Sequence, residues 1–136
     1  MDYNLFYIQM KMVQRYEKAI VDLNRQIDDI IYKFAGVRAI QYDKQRMTFN
    51  KYIADEVLER MYQELKQPQK ELDEIQNAMY KIRPMVVDKL LQLPKDVQQM
   101  CISIMWQNKT YEYVGERFGY TASGVRKRIV REVNKL

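Results

Sequence analysis

Apolar residues recur every seven positions along the first quarter of the chain. Phe6, Val13, Ile20, Ile27 and Phe34 form one row, and Tyr16, Leu23 and Ile30 fall three residues after members of it. Charged residues fill the gaps. That is a heptad pattern, and it predicts a helix of about 50 Å, which cannot bury its stripe without a partner. A second row follows at Leu58, Leu65, Leu72, Met79, Val86 and Leu93, with Met61, Ile75 and Ile82 at offset positions. The simplest pairing is an antiparallel helical hairpin within the chain. The alternative is a zipper between two copies.

Glycine and proline punctuate this pattern. Gly36 reads as the residue that ends the first helix, and Asn50 as a cap for the next. Residues 35–50 are then a connector. Arg38, Lys44 and Arg46 beside Tyr42 and Phe49 give that connector a second reading, a nucleic-acid contact. Pro68 and Pro84 interrupt the second stripe without shifting its phase, so a kink or short break is expected at each. No convincing run alternates apolar and polar residues, and the fold class expected is all-α.

Beyond Leu91 the helices shorten. Pro94 suits a first helical position, and Val97, Met100, Cys101 and Ile104 then share a face. Thr110 is an N-cap candidate for a two-turn helix over 111–118. Gly119 ends that helix in the left-handed conformation, and Thr121 caps a last helix reaching about Lys135. Two helices joined by a short glycine-containing turn are the helix-turn-helix pattern. Gly115 lies inside the first of them, where glycine costs about 1 kcal/mol relative to alanine, so a close crossing is expected there. On a helical wheel Ala122, Ile129, Val133 and Leu136 fall within about 80° of Val125. Val114 and Phe118 face this set. Ser123, Gly124, Lys127, Arg131 and Asn134 occupy the opposite face, with Arg126 and Arg128 on the flanks. The chain is thus expected to divide into a helical hairpin, residues 1–90, and a DNA-binding unit, residues 91–136.

Charge adds to this picture. The net charge is +5 over 136 residues; residues 95–136 carry eight Lys/Arg against four Asp/Glu, which is +4. A basic end behind a nearly neutral body suits a polyanionic partner. The chain has one cysteine and no histidine, which excludes an internal disulfide, a Cys/His zinc cluster and the usual Ser-His or Cys-His catalysis. Asp28-Asp29 and Asp73-Glu74 point about 100° apart on a helix and share no site. An enzyme is therefore not expected, nor a cofactor or a metal. No apolar run approaches membrane-spanning length and no signal peptide is read, so no membrane partner and a cytoplasmic location are expected. Cys101 in an apolar helical setting fits a reducing compartment. The tyrosines on or beside the heptad rows and the nine methionines read as packing residues.

The segment LQLPKDVQQMCISIMWQNKTYEYVGERFGYTASGVRKRIVREVNKL resembles region 4 of bacterial sigma factors, over residues 91–136. The likeness lies in the leading L-x-L-P, the helix ending at Trp106, the K-T-Y-E-x-V-G-E-R-F-G-Y-T block and the trailing S-G-V-R-K-R-I. Gly115 departs from the commoner alanine. The whole chain is similar to small phage and mobile-element regulators of Gram-positive bacteria, late-transcription activators among them. The segment FAGVRAIQYDK resembles a linker in such proteins. The resemblance implies binding to double-stranded DNA in the cytoplasm of a bacterial host cell, and permits contact with host RNA polymerase. Ser123, Lys127 and Arg131 are then expected at base edges. Lys109, Thr121, Arg126 and Arg128 are expected at phosphates. Thr110, Tyr111 and Gly124 lie close to the backbone. A homodimer through the heptad helices would supply two half-sites. The competing reading is a phage protein that binds and modulates a host protein, polymerase or a defence effector, through its helical surfaces.

Overall fold

The computed structural model describes the backbone of residues 1–44 and 47–136, and the side chains of residues 1–34 and 55–136. The described residues are helical, with no strand: α1 (Tyr3–Lys44), α2 (Met47–Leu91), α3 (Lys95–Cys101) continuing as a π-helical turn (Ile102–Trp106), α4 (Tyr111–Phe118) and α5 (Ala122–Asn134). The fold is all-α, a pair of long helices followed by shorter ones.

Two of the expected punctuation marks do not end helices. α1 runs through Gly36 to Lys44, and Asn50 lies inside α2, not at its cap. The side chains expected to form a basic and aromatic contact between residues 35 and 50 lie outside the described residues. α2 is also continuous through Pro68 and Pro84. Pro68 is buried, between half-buried Leu65 and buried Leu72. Burial of that stripe offsets the one backbone bond and the steric cost that proline brings.

The chain packs as two compact units. Met1–Glu17 joins Ala78–Leu136 in one, and Lys18–Asn77 forms the other. This division differs from the one expected at residue 90, because the first turns of α1 belong with the C-terminal helices.

The Lys18–Asn77 unit is an antiparallel helix pair. Leu23, Ile27 and Leu72 are buried together, with Ile20, Leu65 and Ile75 packed against them. Lys33 Nζ lies 3.4 Å from Glu64 Oε1, so later residues of α1 meet earlier residues of α2. The heptad stripes are thus covered within the chain.

The other unit has a larger core. Fifteen buried residues form it, drawn from every helix: Phe6, Met10 and Val13 of α1, Val86 and Leu90 of α2, and Val97 to Val133 of the short helices among them. Leu93 closes the turn after α2. Pro94, with φ −55° and ψ 149°, stands just before α3 rather than in its first turn. The Gln98 amide Nε2 donates to the Leu93 carbonyl at 2.8 Å and the Leu91 carbonyl at 3.2 Å, satisfying acceptors that the end of α2 leaves open.

The π turn shifts Trp106 by the extra residue that such a turn inserts. Its indole Nε1 donates to the Met10 carbonyl at 2.9 Å, while Gln14 Nε2 donates to the Trp106 carbonyl at 2.7 Å. Tyr3 bonds the C-terminal helices twice, through its backbone N–H to Asn134 Oδ1 at 3.2 Å and through its hydroxyl to that of Tyr111 at 3.0 Å. Burial, and then the Tyr111 bond, raise the Tyr3 phenol above its ordinary pKa.

Candidate nucleic-acid interface

The interface is built on α4, α5 and the three residues between them, Gly119 to Thr121. Both helices start as their caps require. Thr110 is extended, at φ −78° and ψ 158°, and its Oγ1 accepts from the Tyr113 backbone N–H at 3.1 Å. Thr121 repeats this at φ −74° and ψ 161°, with Oγ1 accepting from the Gly124 N–H at 3.0 Å. Each hydroxyl is used as an acceptor, so its own proton remains available to a ligand oxygen.

The turn holds its geometry through two glycines with different roles. Gly119 has φ 78°, the left-handed region where a side chain is strained. The Tyr120 N–H then donates to the Gly115 carbonyl at 2.8 Å, closing the end of α4. At Gly115 the constraint is space. A Cβ there would run into the carbonyl oxygen of Tyr120, with the Thr121 carbonyl carbon at 3.3 Å. The close approach is therefore made by the turn, and even alanine would require the Tyr120 carbonyl to move.

Val114, Val125, Ile129 and Val133 are wholly buried, so the inner faces of α4 and α5 are those the wheel indicates. The outer face of α5 is open. Ser123, Arg126, Lys127, Val130 and Arg131 line one shallow depression. Among the described residues no carboxylate bridges Arg126, Lys127 or Arg131. Lys109 is exposed, and its Nζ sits 5.0 Å above the Tyr113 ring. Tyr113 is 47% exposed and stands beside the Thr110 cap. Asn108 precedes this corner at φ 57°, a left-handed value that asparagine tolerates.

Three expected site residues are placed differently. Arg128 turns to α3: Nε donates to Asp96 Oδ2 at 2.8 Å and Nη2 to Oδ1 at 3.1 Å. The two-pronged bond holds the Asp96 carboxyl below its usual range, and raises the guanidinium in turn. Arg128 is a strut between α5 and α3, and its charge is already partnered. Tyr111 spends its hydroxyl on Tyr3 and packs against the core. Gly124 is half-buried, and a Cβ there would lie 3.0 Å from Thr121 Oγ1. Its missing side chain leaves room for the cap.

Lys109, Thr110, Thr121, Ser123, Arg126, Lys127 and Arg131 remain exposed. Such a set can bind a polyanion and present donors to base edges. Among the described residues no cluster of His, Cys, Asp or Glu could hold a metal. The Cys101 thiol is fully buried, and desolvation pushes its pKa up to about 12, so it adds volume to the core and no thiolate near neutral pH. Among the described residues no helix is long and apolar enough to cross a membrane. Comparison with protein-family models, curated proteins and solved structures returns no match for this chain.

Proposed function

We propose that the chain is a sequence-specific DNA-binding transcription regulator. By this reading α4 and α5 act as a helix-turn-helix, with α5 in the major groove. One observation carries it: the outer face of α5 gathers Ser123, Arg126, Lys127 and Arg131 around a single depression while its inner face is buried. Ser123, Lys127 and Arg131 then reach base edges. Arg126, Lys109 and the two threonine hydroxyls hold phosphates. The likeness of residues 91–136 to sigma region 4 extends the proposal to a phage-type activator of late genes with RNA polymerase as second partner. A homodimer through the heptad stripes would have to open pairs that are closed within the chain.

The test is recovery of bound fragments from a genomic library at two salt concentrations, with Lys127→Ala/Arg131→Ala as control. One enriched site, lost in the double variant, supports the proposal. Binding that is equal on all fragments contradicts it.

Exposed Tyr32, Tyr62, Tyr80 and Leu91 favour a second reading, a modulator of a host protein. Salt separates the two. A phosphate-dominated complex weakens steeply as salt rises, and an apolar contact does not.

A further inference from the structure

The first turns of α1 bring two further cations to the corner that opens α4. Lys11 and Arg15 are four residues apart and so lie one above the other on the helix. Lys11 Nζ donates to Asn108 Oδ1 at 2.6 Å and to Gln14 Oε1 at 3.2 Å. Asn108 is the residue before Lys109 and two before the Thr110 cap. The Gln14–Trp106 and Trp106–Met10 bonds fix the same side of α1 against that corner. Lys11 is thus held at Asn108, one residue before Lys109 and two before Thr110, by packing and hydrogen bonds within one compact unit.

Neither cation is neutralised by a described residue. An ammonium carries three donors, and two of those on Lys11 are used, both on uncharged amides. Arg15 is exposed, and lines a shallow depression with Lys11, Ile8 and Met12. Among the described residues no carboxylate bridges either one. Glu17, two residues beyond Arg15, is engaged by Arg83 at 3.4 Å.

In a docked helix-turn-helix the first helix of the pair crosses the phosphate backbone. That places the start of α4 at the phosphates and Lys11 next to it. We infer that Lys11 and Arg15 are phosphate contacts for duplex DNA, extending the interface from α4 and α5 onto the first helix of the chain. This rests on the reading of α5 as a DNA-reading helix. Phosphate contacts position a protein without reading sequence, so these two residues add affinity and register and leave site preference alone.

The experiment uses the full chain and a labelled random-sequence duplex a few helical turns long. Binding is measured across a salt series for the wild type, Arg15→Gln, Lys11→Gln/Arg15→Gln, and Lys70→Gln as a control of equal charge change in the other unit. Among the described residues Arg15 makes no side-chain bond, so Arg15→Gln is expected to keep the wild-type thermal midpoint. It should lower the slope of log K against log salt by about 0.9, and the double variant by about twice that. In the genomic-library selection both variants should still enrich the fragment preferred by the wild type. If Arg15→Gln and the double variant keep the full slope while Lys127→Ala/Arg131→Ala lowers it, the α1 contact is wrong and the DNA reading stands. An equal loss in Lys70→Gln reduces the effect to net charge and overturns the α1 contact. Absence of wild-type binding to any duplex overturns both.

Discussion

The two units of this chain bury their apolar residues by different means. In Lys18–Asn77 two helices face each other along one stripe, and the described buried cluster is Leu23, Ile27 and Leu72, each still a few per cent exposed. In the unit formed by Met1–Glu17 and Ala78–Leu136, segments distant in sequence close around residues with no exposure at all, such as Met10, Met100 and Ile129. A pair of helices leaves one flank of every contact wet. A core enclosed from several directions does not, and only such a core can hold a turn and its flanking helices in one geometry. The proposed interface lies on the second kind of unit, where side chains can be pre-positioned for a ligand.

The largest difference is expected between two residues of the same helix. Met10→Ala is expected to cost near the top of the ~2–5 kcal/mol seen for buried large-to-alanine changes, and Leu23→Ala near or below its lower end. Urea unfolding of both variants checks this. Equal losses would mean that the two-helix unit carries as much stability as the closed one.

A smaller effect is expected at the turn. Gly115→Ala gains about 1 kcal/mol of helix propensity, yet the Tyr120 carbonyl must move to admit the methyl. Overpacking of this kind costs ~1–3 kcal/mol, so a net loss of about 1 kcal/mol is expected, with a lower melting midpoint. A variant as stable as the wild type would show that the turn yields freely.

The smallest effect concerns Asp96 and Arg128. The Asp96 carboxyl is depressed by the Arg128 bond, so its folded pKa lies below the unfolded value of about 3.9. Its contribution is fully present above that unfolded pKa and is lost as pH falls through the folded one. The pair is about one-third exposed, and solvent screening limits its worth to under ~1 kcal/mol. Melting midpoints measured on acidification should therefore fall slightly further for the wild type than for Asp96→Asn. Parallel curves would mean that the strut adds no stability.

Much of this architecture was legible without coordinates. Thr110, Gly119 and Thr121 mark the ends of α4 and α5 because capping and left-handed turns depend on the chemistry of single residues. The heptad rows located both long helices, since burial of Phe6, Val13, Ile27, Leu72 and Val86 follows helical spacing. Met10 was not legible. It is off the heptad phase, and it is buried because Trp106 and the short helices cover that side of α1. Gly36 misled for a related reason, and Pro68 does not break its helix: a local preference of one to a few kcal/mol yields when the helix continues on both sides. At the site, the wheel gave Arg126 and Arg128 the same standing on the two flanks of α5. Asp96, 32 positions earlier than Arg128, takes one and leaves the other.

What the sequence determined by itself is therefore whatever depends on neighbours along the chain: helical periodicity, caps, the left-handed turn at Gly119, the buried and open faces of α5, and the basic C-terminal balance. Only the folded structure settled which cations are already partnered, and that α1 supplies both a wall of the core and Lys11 beside Asn108. The physical reason is range. Helix periodicity and capping act over about four residues, whereas the Asp96–Arg128 and Lys11–Asn108 contacts join elements that meet only when the chain has folded.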